Sequence, residues 1–270
     1  TVHYSAVLPG ESWMRNADVV VEEDLCGCGE VLGSATSIIK RMRTPFFAYI
    51  RPAVEGKKTR YVEGRAYLDF PVDKITLYPE YRNNPRELEK IVNTINVVKE
   101  DKNTSITGIT IHGYASPEDT YEHNTYLAEN RAKTLKDYVR GLVELPDTLF
   151  SVGYTPEDWE GLRAYVDTAD GLTHKEEILA LIDDEEMNID TKERSIRARY
   201  PEDYRVLLAE CYPGLRHSDY TVNYVVRAFT VEEAKALLYT KPQQLSLEEM
   251  YQVAQTYDAG TPEFNEVFEI

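Results

Sequence analysis

Residues 113–139 read GYASPEDTYEHNTYLAENRAKTLKDYV. Gly113 to Asp119 carries Gly, Ser, Pro and acids without periodicity and reads as a loop. From about Tyr121 to Arg140, Leu127, Leu135 and Val139 recur at helical spacing. Just upstream, SITGITIHG (105–113) alternates Ile109 and Ile111 with polar neighbours, as a half-buried strand does. A loop at the carboxyl end of a strand that feeds an amphipathic helix presents free backbone amides to an anion. On that helix Asn124 and Arg131 share one stripe, two turns apart. A rigid guanidinium above polar loop atoms suits a carboxylate held by two parallel hydrogen bonds. The same residues also permit an internal arrangement, in which Arg131 pairs with Glu118 or Glu122 and Asn124 satisfies the loop backbone.

Outward from this centre, the order is strand, helix, strand, helix, strand. Asn83-Asn84-Pro85 opens a helix over about 86–100, with Leu88, Ile91, Ile95 and Val98 on one face. TLFSVGY (148–154) reads as a short strand, and another strand-like run returns at Asp219 to Phe229. Between them, about 155–217 reads as a helical insert. PEDWEGLRAYVD offers Trp159, Leu162, Tyr165 and Val166 as one face, Thr173 with Glu176 predicts a capping box, and helices follow over about 190–199 and 202–211.

Residues 1–62 form a small β-rich region by their β-branched and aromatic content, with extended runs NADVVVEEDL (16–25), FFAYIRPA (46–53) and TRYVEGRAYLDF (59–70). GCGEVLGSATS (27–37) is rich in Gly and Ser and is expected to be a loop. After about residue 230, Thr230 with Glu233 and Ser246 with Glu249 predict two more capping boxes, opening short helices that suggest the start of a repeat region over 231–270. The fold class expected is α+β: helices 86–100 and 121–140 on one face of a mixed sheet from about 62–70, 106–112, 148–154 and 219–229. The central domain is then 63–230, insert included.

Composition narrows the function classes. The chain has 270 residues, 30 basic against 47 acidic, and a formal charge of -17. Such a charge repels nucleic acid and anionic lipid over most of the surface. No window reaches eighteen apolar residues. The start at Thr1 without Met, and an incomplete apolar face in EFNEVFEI, suggest a piece of a longer protein. Catalysis is thinly supported: His112 and His123 flank the loop with no nucleophile at a recognisable spacing. The acids 183–186 lack the ligand order of a calcium loop. Cys26 and Cys28 lie at the edge of disulfide reach, pairing of one with Cys211 is open, and a metal would need His3 or His217 as well. Twenty tyrosines invite sugar stacking, but Tyr165 and Tyr251 sit at core-like helical spacing. Neither cofactor nor metal is expected.

The stretch 113–139 resembles the signature of the OmpA-like (OmpA/MotB) peptidoglycan-associated domain, G-H-T-D, a Gly, then Y-N-x-x-L-S-x-x-R-A. Gly113, Asn124, Leu127, Arg131 and Ala132 match it, with Ala128 at its Ser. YLDFPVDKITLYPE (67–80) is similar to the family's opening strand and its lead into the first helix, and Tyr220 to Phe229 to its last strand. The likeness covers roughly 67–154 and 219–230. With the CGCG segment before it and short helices after it, the arrangement looks most like a variant found in Bacteroidetes cell-envelope proteins.

The resemblance implies a non-catalytic periplasmic domain, associated with the outer membrane, that holds the diaminopimelate stem peptide of peptidoglycan. An Asp and an Arg of the family grip its ammonium and carboxylate. Carried over, Arg131 binds the carboxylate and Asn124 supports the loop. Ser116 stands at the Asp, Ala115 at the Thr, Tyr114 at the His and His123 at the Tyr, with Thr120 nearest the second Gly. Loss of the Asp removes a charge-assisted bond of roughly 1.5 to 3 kcal/mol, about tenfold to a hundredfold in affinity. Glu118, two residues on, is the candidate replacement. The alternative is an OmpA-like fold kept as a scaffold for contacts with other envelope proteins, in outer-membrane or fimbrial assembly. Any membrane attachment lies outside this chain.

Overall fold

A computed structural model describes residues 17–27, 30–42 and 51–270, with Ser5, Val7, Pro9, Glu11 and Met14. The chain divides into two compact units, Thr1–Arg51 and Pro52–Ile270.

In the first unit, β1 (Asp18–Gly27) pairs antiparallel with β2 (Glu30–Arg41). This corrects the loop expected over 27–37. Gly and Ser weaken a strand that must pack a core, whereas this ribbon leaves Val19, Val20, Ile38 and Ile39 exposed and is held by its backbone ladder. The run expected at 46–53 lies largely outside the described residues, as do Cys28, His3 and the Cys26 side chain. Cys211 is buried and in no disulfide, and burial pushes its thiol up to about 12.

The second unit is built on a four-stranded mixed sheet in the order β3 (Lys58–Ala66), β6 (Ser218–Val226), β4 (Thr104–Tyr114), β5 (Phe150–Thr155). Only the β4–β5 pairing is parallel in this sheet, as a strand-helix-strand crossover requires. Helices α1 (Asn84–Glu100) and α2 (Tyr121–Val143) cover one face. Ile91, Ile95, Leu135 and Val139 pack there on Ile109, Ile111 and Val222, all fully buried. Each such side chain contributes roughly 1.5–3 kcal/mol by leaving water. The opposite side of the same strands is polar, with Thr110 on Ser151 and Arg65 on Asp219. The architecture is consistent with an OmpA-like α+β fold.

One boundary differs from expectation. The first strand ends at Ala66, and 67–83 runs on without strand pairing. Buried Asn84 holds that segment, accepting from the Asp69 amide and donating to the Asp69 and Tyr78 carbonyls. Its backbone groups are satisfied by a side chain instead of a ladder.

The insert carries its own apolar core. It contains α3 (Trp159–Thr168), α4 (Lys175–Ile182), α5 (Ile189–Arg199) and α6 (Pro201–Val206), then a π-helical turn (Leu207–Cys211) and α7 (Tyr212–Leu215). Leu162, Val166, Ile178, Ile196, Leu207 and Tyr212 are fully buried there. The box expected at Thr173 does not form, because Asp203 accepts the Thr173 and His174 amide hydrogens. The acids 183–186 form a turn, in which Asp184 accepts from the amides of Glu186 and Met187.

The helices α8 (Val231–Leu237), α9 (Leu247–Ala254) and α10 (Pro262–Glu266) end the chain, and the capping boxes of Thr230 and Ser246 are both present. Phe264 and Val267 complete an apolar cluster with Phe229 and Leu238. Among the described residues no helix is long and apolar enough to cross a membrane.

Candidate functional site

The end of β4 approaches the start of α2 very closely. A Cβ built on Gly113 would stand 2.7 Å from the Ala128 carbonyl oxygen and 2.9 Å from the Ala132 Cβ. Gly113, Ala128 and Ala132 therefore form one small-residue contact, and it sets the distance from the loop to the helix face bearing Arg131.

Beyond this contact lies a small cleft, lined by Phe70, Gly113, Tyr114, Arg131, Arg216 and His217 among others. Arg131 stands over the Phe70 ring, 5.0 Å from its centroid, and its Nε donates to the Lys74 carbonyl at 3.1 Å. Its terminal nitrogens have no hydrogen-bond partner and no carboxylate within ion-pair reach among the described residues. The internal pairing with Glu118 or Glu122 is not made. Burial lowers the Arg131 pKa, and the neighbouring Arg216 guanidinium lowers it further against the pull of Asp73 and Glu118. The group stays charged, since an Arg pKa starts far above neutrality.

Of the other residues singled out by sequence, Tyr114 also lines the cleft, stacked on His217 at 4.2 Å between ring centroids. Burial raises its pKa. Ser116 is 3% exposed and its hydroxyl donates to Glu118 Oε2 at 2.5 Å. The same Glu118 oxygen faces Arg216 Nη1 at 3.4 Å. Ala115 is buried, with its amide on the Thr155 carbonyl and its carbonyl on the Asp158 amide. Asn124 is buried too, donating to the Asp119 carbonyl and to Glu157 Oε1. Neither Ser116 nor Ala115 is open to a ligand as expected: both are closed off by contacts within the chain.

Two of the amides expected to be free at the start of α2 are also taken. Thr120 caps the His123 amide, and Asp190 of α5 accepts from the Tyr121 amide at 2.8 Å. Glu157, which joins Asn124 to the Trp159 indole, has its pKa raised by burial against those two hydrogen bonds.

Arg216 was not singled out from the sequence, and His217 was named only as one of two histidines that a metal site, not expected here, would need. The signal was present in the pairing. β6 runs antiparallel to β4 with Ser218 opposite Gly113, so the residues entering β6 must sit beside the loop leaving β4. His217 is 3% exposed. Its Nδ1 lies 3.0 Å from the Gly214 carbonyl and so carries the hydrogen, leaving Nε2 as an acceptor. That Nε2 is buried without a hydrogen-bond partner, with Asp219 Oδ1 out of reach at 3.9 Å. Among the described residues no cluster of His, Cys, Asp and Glu could hold a metal ion.

No protein-family model matches this chain, and neither does any curated protein sequence. Among solved structures, it is similar to the peptidoglycan-associated lipoprotein from Burkholderia pseudomallei, at 16% identity over 59% of this chain and 88% of that one. The TM-score is 0.30.

Proposed function

We propose that this chain is a non-catalytic binding domain of the cell envelope that holds peptidoglycan stem peptide, with Arg131 gripping a carboxylate at the mouth of the cleft. The reading rests on one observation: a partly buried guanidinium, fixed by Phe70 and the Lys74 carbonyl, whose terminal nitrogens have no partner among the described residues. Fixing the stem in advance reduces the entropy lost on binding. The matched residues Gly113, Asn124, Arg131 and Ala132 support the ligand class, and a place in the periplasm beside the outer membrane follows from that class.

Calorimetric titration with a diaminopimelate-containing stem peptide tests it. Arg131→Ala is expected to weaken binding about tenfold to a hundredfold, the worth of a charge-assisted contact. No binding, or binding indifferent to that substitution, overturns the reading.

A second reading is favoured by the insert. Its own core, and the Asp190 carboxylate placed on the Tyr121 amide, suit a scaffold that offers the insert to other envelope proteins. Pull-downs in which a version lacking 156–216 keeps every partner remove that reading.

A further inference from the structure

The second unit's sheet has two unlike faces. α1 and α2 pack on Ile109, Ile111 and Val222, and the residues that alternate with these point the other way. Register places Tyr61 beside Asn223, Glu63 beside Thr221 and Arg65 beside Asp219, and Thr110 and His112 continue the last two rows onto β4. All of them are exposed or half-buried. Neighbouring contacts show that they share a side: Arg65 donates two hydrogen bonds to Asp219, and Thr110 Oγ1 lies 2.9 Å from Ser151 Oγ.

Two chemical features of this face are unused by the chain itself. The side chains of Glu63, Thr221 and Asn223 make no hydrogen bond or ion pair among the described residues. Aromatic rings flank them. Tyr61 is 65% exposed, and Tyr67, just past the end of β3, is 46% exposed. From Tyr67 a row of rings crosses the strand ends, through His217 at 6.0 Å, Tyr114 at 4.2 Å and His112 at 4.7 Å between successive centroids. His112 is fixed there, since its ring lies where a side chain at Gly153 would stand and its Nε2 meets Thr155 Oγ1 at 2.8 Å.

The ligand class follows from what the face offers and lacks. Asp219 neutralises Arg65, which leaves Glu63 as an unbalanced negative charge, so an anion is repelled. A protein interface has an apolar centre depleted of charge, whereas the middle of this face holds a hydroxyl, an amide and a carboxylate. A sugar presents C–H faces that stack on rings and hydroxyls that both donate and accept, which suits Tyr61 and Tyr67 with Glu63, Thr221 and Asn223 between them. Six residues separate the two tyrosines, roughly 20 Å of extended chain at about 3.3 Å per residue, so a chain of sugars and not a single unit reaches both.

We propose that this sheet face binds a neutral oligosaccharide, with Tyr61 and Tyr67 stacking on sugar rings and Glu63, Thr221 and Asn223 holding hydroxyls. The site asks for no carboxylate on its ligand and so goes beyond the stem-peptide reading.

The full chain is titrated with two neutral tetramers, tetra-N-acetylchitotetraose and cellotetraose, with monomeric N-acetylglucosamine and with anionic tetragalacturonate. At least one neutral tetramer is expected to bind, and at least tenfold tighter than the monomer or the anionic tetramer. Tyr61→Ala and Asn223→Ala are each expected to weaken it about tenfold. Circular dichroism establishes that each variant is folded, and one that fails to fold is replaced by Tyr61→Leu or Asn223→Ser. In the wild-type chain the amide resonances of Thr221 and Asn223 are expected to shift when the tetramer is added. Failure of both neutral tetramers overturns the inference, as does affinity unchanged in both variants. Equal affinity for tetramer and tetragalacturonate, or shifts confined to the residues around Arg131, overturns it too. Stem peptide is titrated alongside: its failure to bind overturns the earlier reading alone, and its binding does not rescue this one.

Discussion

Asp190 Oδ1 accepts the amide hydrogen of Tyr121 at 2.8 Å, across 69 residues of sequence. An acid from the insert thus occupies the positive end of the helix that carries Arg131, where a ligand anion would otherwise be favoured. Asp190→Ala frees that amide and is expected to cost about 1 kcal/mol, the usual loss for a helix cap. Thermal unfolding, with hydrogen exchange at Tyr121, checks it. An unchanged exchange rate would show that the contact does not hold in solution.

Gly113→Ala sets a methyl against the Ala128 carbonyl, which is helix backbone and cannot swing aside. The expected cost is about 1–3 kcal/mol, typical of overpacking. Because the same contact sets the height of α2 over the loop, ligand affinity falls as well. Urea denaturation and titration measure the two effects separately. A stable variant with full affinity would mean that α2 moves freely against β4.

Lys58 on β3 is buried against Glu249 on α9, with Nζ at 2.9 Å and 3.0 Å from the two carboxylate oxygens. Glu249 also accepts from the Phe229 and Ser246 amides. Lys58→Ala leaves that carboxylate buried without its cation, and roughly 3–5 kcal/mol of destabilisation is expected. A loss below 1 kcal/mol in urea unfolding would place the pair in water.

Burial lowers the pKa of His217, assisted by Arg65 and opposed by Asp219, and burial lowers that of His112 in the same sense. The folded pKa values lie below the unfolded 6.5, so the unfolded chain takes up protons first. The contribution of these groups is whole above about pH 6.5 and declines as pH falls through that value and below it. Unfolding midpoints at pH 7.5 and pH 6.0 should differ, with the acid value lower. His217→Gln should narrow the difference, and an equal difference in wild type and variant removes His217 from the explanation.

Arg131→Lys keeps the charge and loses the planar fork and its stacking on Phe70. Titration should show affinity for stem peptide reduced about tenfold, intermediate between wild type and Arg131→Ala. Equal affinity would mean that the site reads charge and not geometry.

The helix faces, the alternation of Ile109 with Ile111 and the capping boxes at Thr230 and Ser246 were all legible from the chain alone. Each depends on spacing along one element, and spacing survives whatever the rest of the molecule does. The box at Thr173 failed because Asp203, thirty residues on, takes the Thr173 amide that Glu176 would have accepted, and the His174 amide with it. The strand over Glu30–Arg41 was missed because two-stranded pairing on an exposed ribbon needs a backbone partner and no apolar pattern.

For the site, sequence by itself determined that Arg131 rises from a helix beside a polar loop, since one period and one turn signal suffice for that. Only the tertiary structure decided that Ser116 and Ala115 are closed, that Arg131 has a second guanidinium beside it, and that His217 keeps an unmet acceptor. The last two depend on β6 pairing with β4, a contact between segments more than a hundred residues apart in the chain, and Ala115 is closed by Thr155 and Asp158. No local propensity encodes such a contact, because the entropy of closing the intervening loop is recovered only when the whole sheet forms.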